Sequence, residues 1–176
     1  GSSINIDKRL YKQDIAASIV HAQMLIKQKI IKGDDGNKII NGLKKIKSQI
    51  DKGKFNFQEK FEDIHLNIEK KLFEIVGPSA GFLHTARSRN DQVVTDFKLW
   101  IKKSTKEILK DISLVMKNLI KKAEKNTGTV MPGLTHLKNA QPISFAHYLL
   151  SYYEMLKRDQ KRFENNIKLL DECPLG

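Results

Sequence analysis

The segment from His84 to Gln92 concentrates side chains that can bind an anion. Eight of its nine residues can donate or accept hydrogen bonds, and it includes two of only five arginines among the 32 basic residues of the chain. A guanidinium group grips a carboxylate through two parallel hydrogen bonds, whereas a lysine ammonium offers a single point charge. The segment is therefore a candidate site for a small anionic ligand. Its candidate residues are Arg87, Ser88, Arg89, Asn90 and Asp91.

The same residues have a purely structural interpretation. Ser88, Asn90 and Asp91 stand directly ahead of a long run of periodic apolar residues, and such side chains commonly cap the N-terminus of a helix. The arginines would then be solvated or paired with acidic residues. Spacing alone supports the two interpretations about equally.

A second polar segment covers residues 131–142 and is bracketed by prolines, which stiffen it. It carries Thr135, His136, Lys138 and Gln141. An imidazole titrates near neutral pH, so His136 is a candidate general acid or base, or a group that orients another side chain. The structural alternative is a helix-capping loop with a buried histidine, and composition alone favours that alternative.

Other kinds of site find less support in the sequence. Asp63 and His65 lie two residues apart in a predicted helix, so they do not share a face, which argues against a metal site there. No serine has an obvious paired base, and no glycine-rich phosphate loop follows a predicted strand. We expect neither a metal ion nor a cofactor.

These polar segments must be positioned by helices, because helical periodicity dominates the chain. Apolar residues recur at helical spacing over residues 8–31, 34–53, 63–76, 94–119 and 145–170. Glycines and prolines fall between these stretches. The sequence therefore predicts an all-α fold, with a helical N-terminal domain over residues 1–86 and the first long helices of a central helical bundle over residues 87–176.

The last two predicted helices carry long apolar stripes whose three-four spacing is typical of helices that pack along one another. Two such helices cannot bury both stripes by themselves. We therefore expect either that the chain is truncated or that other chains complete the bundle.

The composition of the chain limits its possible partners and its location. The chain of 176 residues has a net charge of +12, but its lysines are spread along the predicted helices instead of forming a basic block, so no nucleic-acid partner is expected. No apolar run approaches the length of a membrane span, and the single cysteine allows no internal disulfide. These features predict a soluble cytoplasmic protein without a membrane partner.

Several motifs in the sequence resemble those of a known enzyme family. They are the His84–Gln92 segment, Pro132–Leu137 continuing through Ala140–Phe145, and the shorter runs Asp7–Tyr11 and Glu62–His65. Together they resemble the argininosuccinate lyase family of the fumarase/aspartase superfamily, and the resemblance covers nearly the whole chain. The two long motifs separate this family from its siblings adenylosuccinate lyase, fumarase and aspartase.

The resemblance implies a reversible anti elimination of argininosuccinate to arginine and fumarate, without a cofactor. It implies that His136 is the catalytic histidine and that Ser3, Asn90 and Thr135 bind substrate. Neighbours of the site would be Arg87, Ser88, Arg89, Asp91, Asp63, His65 and Gln141. The family serves arginine biosynthesis and assembles each active site from three subunits of a homotetramer.

The chain also departs from the family pattern. The flexible loop that carries the family's catalytic serine is absent, as are later Tyr, Gln and Lys residues that bind substrate. The chain therefore holds two of the three site regions, and we expect it to be inactive alone. The resemblance leaves open a sibling fumarate-forming lyase, such as adenylosuccinate lyase, or a crystallin-like structural protein of the same fold.

Overall fold

The computed structural model describes residues 1–175 and is built mainly of helices. The α-helices are α1 (Ile4–Asp7), α2 (Tyr11–Lys27), α3 (Gly33–Asp51), α4 (Ile64–Val76), α5 (Arg89–Glu124) and α6 (Phe145–Leu169). Short 3-10 helices cover Lys8–Leu10, Glu59–Phe61 and Gly77–His84. Two strands, β1 (Val130–Thr135) and β2 (Lys138–Ser144), pair between α5 and α6. The all-α class predicted from the periodicity is confirmed.

The chain divides into two compact units. The first comprises residues 1–100 together with 173–175, and the second comprises residues 101–172. The helix α5 begins in the first unit and ends in the second. The domain boundary predicted after Ala86 stays a prediction. No helix in the described part of the chain is both long and apolar enough to cross a membrane.

The core of the first unit is built from α2, α3 and α4. Apolar residues recur along these helices at steps of three and four, so that each presents one apolar stripe. The most completely buried side chains include Ile15, Leu25, Ile39, Leu43, Ile46, Ile64 and Leu72. Gly42 allows α3 and α4 to approach closely, because a Cβ at this position would lie 2.6 Å from the Leu72 side chain.

In the second unit, the two long helices leave many apolar side chains exposed. Among the described residues, the buried apolar side chains of this unit are Met116, Ala123, Ala146 and Leu149. Exposed ones include Ile108, Leu114, Val115, Tyr152 and Met155. This distribution agrees with the expectation that the two stripes cannot bury themselves.

The proline-bracketed segment forms an antiparallel hairpin where the sequence predicted a loop. Val130 pairs with Ser144 and Thr135 pairs with Lys138, with an irregularity in the register after Pro132. Proline lacks the N–H that a central strand requires, and it is therefore confined to edge strands. Both strands of a two-stranded hairpin are edges, so the prolines that argued for a loop are accommodated.

Replacing Leu43 with Ala should lower the free energy of unfolding by about 2–5 kcal/mol, because the side chain is fully buried in the core of the first unit. Leu169 is 76% exposed and provides the matched control, since L169A should change stability by less than about 0.5 kcal/mol. Urea denaturation followed by circular dichroism measures both variants. Equal losses would contradict the core assigned to α3.

Candidate functional site

The polar segment that starts α5 is anchored at its first turn by Ser88. The Asn90 N–H donates to Ser88 Oγ at 3.3 Å, and the Gln92 N–H donates to the Ser88 carbonyl at 3.1 Å. Ser88 is therefore the N-cap of α5, as the structural interpretation of this segment expected. The Asn90 side chain is exposed beside it and Asp91 is half-buried. The partial positive charge of a helix N-terminus favours an anion at this exposed surface.

Arg87 is held against α2. Its Nη1 donates to Ser18 Oγ at 3.0 Å, while its Nε is buried without a hydrogen-bond partner among the described residues. Burial lowers the pKa of the Arg87 guanidinium from its usual value. Ala86 just before it has a φ of 54°, a strained value for a residue with a side chain, and the Thr85 carbonyl accepts a hydrogen bond from His21 Nε2 at 2.9 Å. These contacts fix the backbone that carries Arg87.

Arg89 is held from two sides. It forms an ion pair with Glu69 on α4, and its Nη1 donates to Gln92 Oε1 at 2.9 Å. Gln92 Nε2 in turn donates to Asp14 Oδ1 at 2.5 Å. One amide side chain therefore connects the guanidinium of Arg89 to a buried carboxylate on α2.

Three titratable side chains, Asp14, His65 and Asp96, form a buried cluster next to these contacts. Their side chains are at most 2% exposed. His65 Nδ1 lies 2.8 Å from Asp14 Oδ1 and 3.4 Å from Asp96 Oδ2. Both carboxylate oxygens of Asp96 lack a hydrogen-bond partner among the described residues. Removing carboxylates from water is costly, so this cluster requires a compensating proton or cation.

The pKa values of the two carboxyl groups shift in opposite directions. Burial and the neighbouring charge of Asp14 raise the pKa of Asp96 to about 9. Burial also acts to raise the pKa of Asp14, but the hydrogen bond and the charge interaction with His65 outweigh it, so this pKa lies below its usual range. At neutral pH, one carboxyl group therefore retains a proton and the other is ionised.

Sequence reasoning singled out His65 but missed both carboxylates around it. Asp63, its neighbour in sequence, does not share its face, whereas Asp14 and Asp96 reach it from other helices. These donor atoms lie within 4.8 Å of one another, a grouping that can hold a metal ion. One feature of the sequence could have indicated that Asp14 is buried. Asp14 follows Leu10 by one helical turn, so it lies on the apolar stripe of α2.

Ser3 and Asp63 lie close to the start of α4. Ser3 Oγ donates to Asp7 Oδ2 at 2.6 Å, and Asp7 Oδ1 accepts from the Ile64 N–H at 3.1 Å. Asp63 Oδ1 accepts from the Leu66 N–H at 2.6 Å and therefore caps α4. Asp63 thus has a structural role, and substrate binding by Ser3 stays a prediction.

Thr135, His136 and Gln141 lie on the hairpin of the second unit, and all three are exposed. His136 and Leu137 form the turn between paired Thr135 and Lys138, with φ values of 50° and 64°. Positive φ at both positions of a two-residue turn matches the twist of the strands, but it strains residues other than glycine. The structure therefore presents the imidazole at an exposed, strained turn instead of burying it.

The space beside the two arginines is small. A cavity of about 20 Å³ is lined by Arg87 and Arg89 and by Glu69 and His84, among others. This volume has room for about one water molecule. A larger ligand can approach this part of the first unit from the side on which Asn90 is exposed.

Replacing Leu137 with Gly should raise the free energy of unfolding by about 1 kcal/mol, because glycine adopts a positive φ without steric cost. The matched control is Leu134, which lies within β1 and is also exposed. L134G should instead lower stability by about 0.5–1 kcal/mol, because glycine weakens a strand. Urea denaturation distinguishes the two signs, and a loss of stability in L137G would contradict the described turn.

Comparisons with known proteins relate the whole chain to lyases. The sequence profile of a family described as lyase matches residues 1–176. The chain is 58% identical over 176 residues to an argininosuccinate lyase from Pelagibacter ubique, a match that covers 100% of this chain and 38% of that protein. It is 48% identical over 175 residues to an argininosuccinate lyase from Bartonella bacilliformis, covering 99% of this chain and 38% of that protein.

A solved structure shares the fold. The chain matches a variant of EDDS lyase with bound fumarate at a TM-score of 0.86 and 25% identity, over 97% of this chain and 33% of that chain. The present chain spans 38% of the length of each of the two curated relatives. Since the family profile extends over residues 1–176 and the helical fold agrees with a solved lyase, the chain belongs to the lyase family.

Proposed function

We propose that the chain supplies two of the three site regions of an argininosuccinate lyase, which cleaves argininosuccinate reversibly to arginine and fumarate. The observation that carries the proposal is 58% identity over all 176 residues to a protein of that name. The matched region includes both polar segments, which lie at the start of α5 and on the β1–β2 hairpin. Their exposed polar side chains provide the groups that such a reaction requires.

The proposed reaction is an elimination that passes through a carbanion. A base removes the proton beside a carboxylate of the succinate moiety, and the electron pair spreads into that carboxylate. The C–N bond then breaks, and the guanidino nitrogen leaves with a proton from an acid. Hydrogen-bond donors that face the developing charge stabilise this species more than the ground state, which lowers the barrier.

Six of the candidate residues have a role in this proposal. Asn90 binds a substrate carboxylate at the positive end of α5, where its exposed side chain is directly accessible. Thr135 and Ser3 contribute further hydrogen bonds to substrate. His136 acts as the proton-transfer group or orients it, because an imidazole can accept and donate a proton near neutral pH and this one is exposed to a ligand. Arg87 and Arg89 hold the backbone of the binding segment in place through their contacts with α2 and α4.

Replacing His136 with Asn should reduce the rate of fumarate release by about 10²–10⁴-fold, because general acid–base catalysis contributes that much. The assay follows fumarate by ultraviolet absorbance in a longer polypeptide that joins this chain to the family's serine loop. His147 is exposed on α6 and provides a matched control, so H147N should keep its activity. The chain assayed without the serine loop should release no fumarate.

Two outcomes would count against this assignment. Release of fumarate from adenylosuccinate but not from argininosuccinate would move the assignment to the sibling lyase. Full activity of the H136N variant would show that His136 has no role in proton transfer. Both outcomes are read in the same assay with a panel of the two substrates.

The proposal extends to assembly and cellular setting. We infer that the complete protein is a homotetramer that works in arginine biosynthesis in the cytoplasm and has small-molecule substrates as its ligands. Support for self-association comes from the exposed apolar side chains of α5 and α6, including Ile108, Val115 and Tyr152. Covering this surface with other copies of the chain removes apolar area from water.

The purified chain should therefore self-associate at micromolar concentration, as measured by light scattering. Replacing Val115 with Glu should weaken the association by at least about tenfold, because burying an unpaired carboxylate at an interface costs free energy. Lys110 is exposed on the same helix, and K110E serves as the control for a change of charge. A monomer in the unmodified chain would contradict the proposed assembly.

A further inference from the structure

Asp14 and Asp96 differ in the hydrogen bonds that their carboxylate oxygens accept. Asp14 Oδ1 lies 2.8 Å from His65 Nδ1 and 2.5 Å from Gln92 Nε2, so it accepts two hydrogen bonds. Both oxygens of Asp96 are fully buried and have no hydrogen-bond donor among the described residues. An ionised carboxylate in that position would bear the full cost of desolvation.

Charged groups from three parts of the fold lie around Asp96 and its neighbour Asp14. On α2 the facing group is Asp14 itself, and on α4 the facing group is His65, while Glu69 lines the small cavity beside Asp14. The segment before α5 contributes Arg87, and its His84 lines the small cavity beside Asp14.

Arg89 at the start of α5 is already paired with Glu69. His65 Nδ1 lies 2.8 Å from Asp14 Oδ1 but 3.4 Å from Asp96 Oδ2. Positive charge near the pair therefore favours an ionised Asp14, and Asp96 is left without a hydrogen-bond donor among the described residues.

We propose that Asp14 and Asp96 share a single proton in the folded protein, and that this acid pair positions the arginine segment at the start of α5. Asp96 carries the proton and donates it to Asp14, so the two buried groups hold one negative charge between them. Gln92 links the pair to the segment, because its amide donates to Asp14 and its carbonyl accepts from Arg89. Asp96 is therefore a positioning residue that acts through Asp14 and Gln92.

Hydrogen bonding favours a proton over a metal ion at this cluster. A metal would need His65 Nδ1 without a proton, whereas an ionised Asp14 at 2.8 Å requires this atom to donate an N–H. Gln92 donates to the same oxygen, and the buried guanidinium of Arg87 adds positive charge close by. A further divalent cation would be repelled by that guanidinium.

The test compares the pH dependence of unfolding for the chain, for D96N and for D14N, with D111N as a control at an exposed site on α5. Because folding raises the pKa of Asp96, the folded state retains a proton that the unfolded state loses above about pH 4. This stabilisation is present at low pH and is lost as pH rises toward the raised pKa. The folded-to-unfolded ratio of the unmodified chain should therefore fall about tenfold per pH unit relative to D96N, between about pH 5 and pH 8.

The two asparagine variants should behave differently. An amide at position 96 can still donate to Asp14, so D96N should fold as well as the unmodified chain at pH 5 and better at pH 8. An amide at position 14 removes the carboxylate whose charge interacts most strongly with the buried Arg87, so D14N should lose stability at both pH values. The D111N variant should follow the unmodified chain at every pH.

Several results would overturn the proposal. Equal pH dependence in D96N and the unmodified chain would exclude the shared proton, and a loss of stability in D96N at pH 7 would show that Asp96 is ionised in the folded protein. Stoichiometric zinc or cobalt in the purified chain by mass spectrometry, lost in D96N, would make the cluster a metal site. If D96N does not fold, carbon-13 NMR of the aspartate carboxyl groups in the unmodified chain must show one buried group protonated at pH 7.

The expected effect of Asp96 on catalysis rests on the proposed function, whereas the proton shared by Asp14 and Asp96 does not. In the longer polypeptide that carries the serine loop, D96N should change the pH profile of fumarate release while D111N leaves it unchanged. If the longer polypeptide releases no fumarate from argininosuccinate, the proposed function is wrong, but the result of the unfolding experiment still holds. The two failures are therefore distinguishable.

Discussion

The first unit depends on one electrostatic constraint, which is the exclusion of two carboxylates from water between α2, α4 and α5. Asp14, His65 and Asp96 each come from a different helix, so satisfying their polar atoms fixes the three helices relative to one another. Gln92 extends these contacts to Arg89, and Ser18 extends the α2 contacts to Arg87. The apolar core supplies most of the stabilisation of this unit, but the polar cluster determines where the arginine segment lies.

Much of the architecture could be predicted because its causes are local. Apolar residues at steps of three and four predicted every long helix to within five residues at each end, and glycines and prolines lie between the helices as predicted. The structural interpretation of the segment at Ser88 is confirmed by the helix cap, and the anion-binding interpretation stays a prediction. Ser88 caps α5 while Asn90 stays exposed on the same turn, because capping employs the serine oxygen and leaves the asparagine side chain available.

What the sequence did not predict arises from contacts between distant residues. Asp14 and Asp96 form no recognisable motif, since their relation exists only after α2 and α5 have packed on α4. The hairpin was missed for a different reason. Its prolines suggest a loop in any rule based on strand propensity, yet Pro132 and Pro142 face each other on two edge strands that tolerate them. The candidate residues of the two units were found by type and motif, and their chemistry remains a proposal.

The hydrogen bond between Gln92 and Asp14 joins residues separated by 78 positions, and this has a consequence for the order of folding. A two-residue turn such as that at His136 closes within microseconds, because few residues must be ordered. A contact between α2 and α5 must wait until the intervening helices have docked, since closing a long loop costs entropy before any contact compensates it. We therefore expect the backbone of the arginine segment to become ordered later in folding than a local turn such as that at His136.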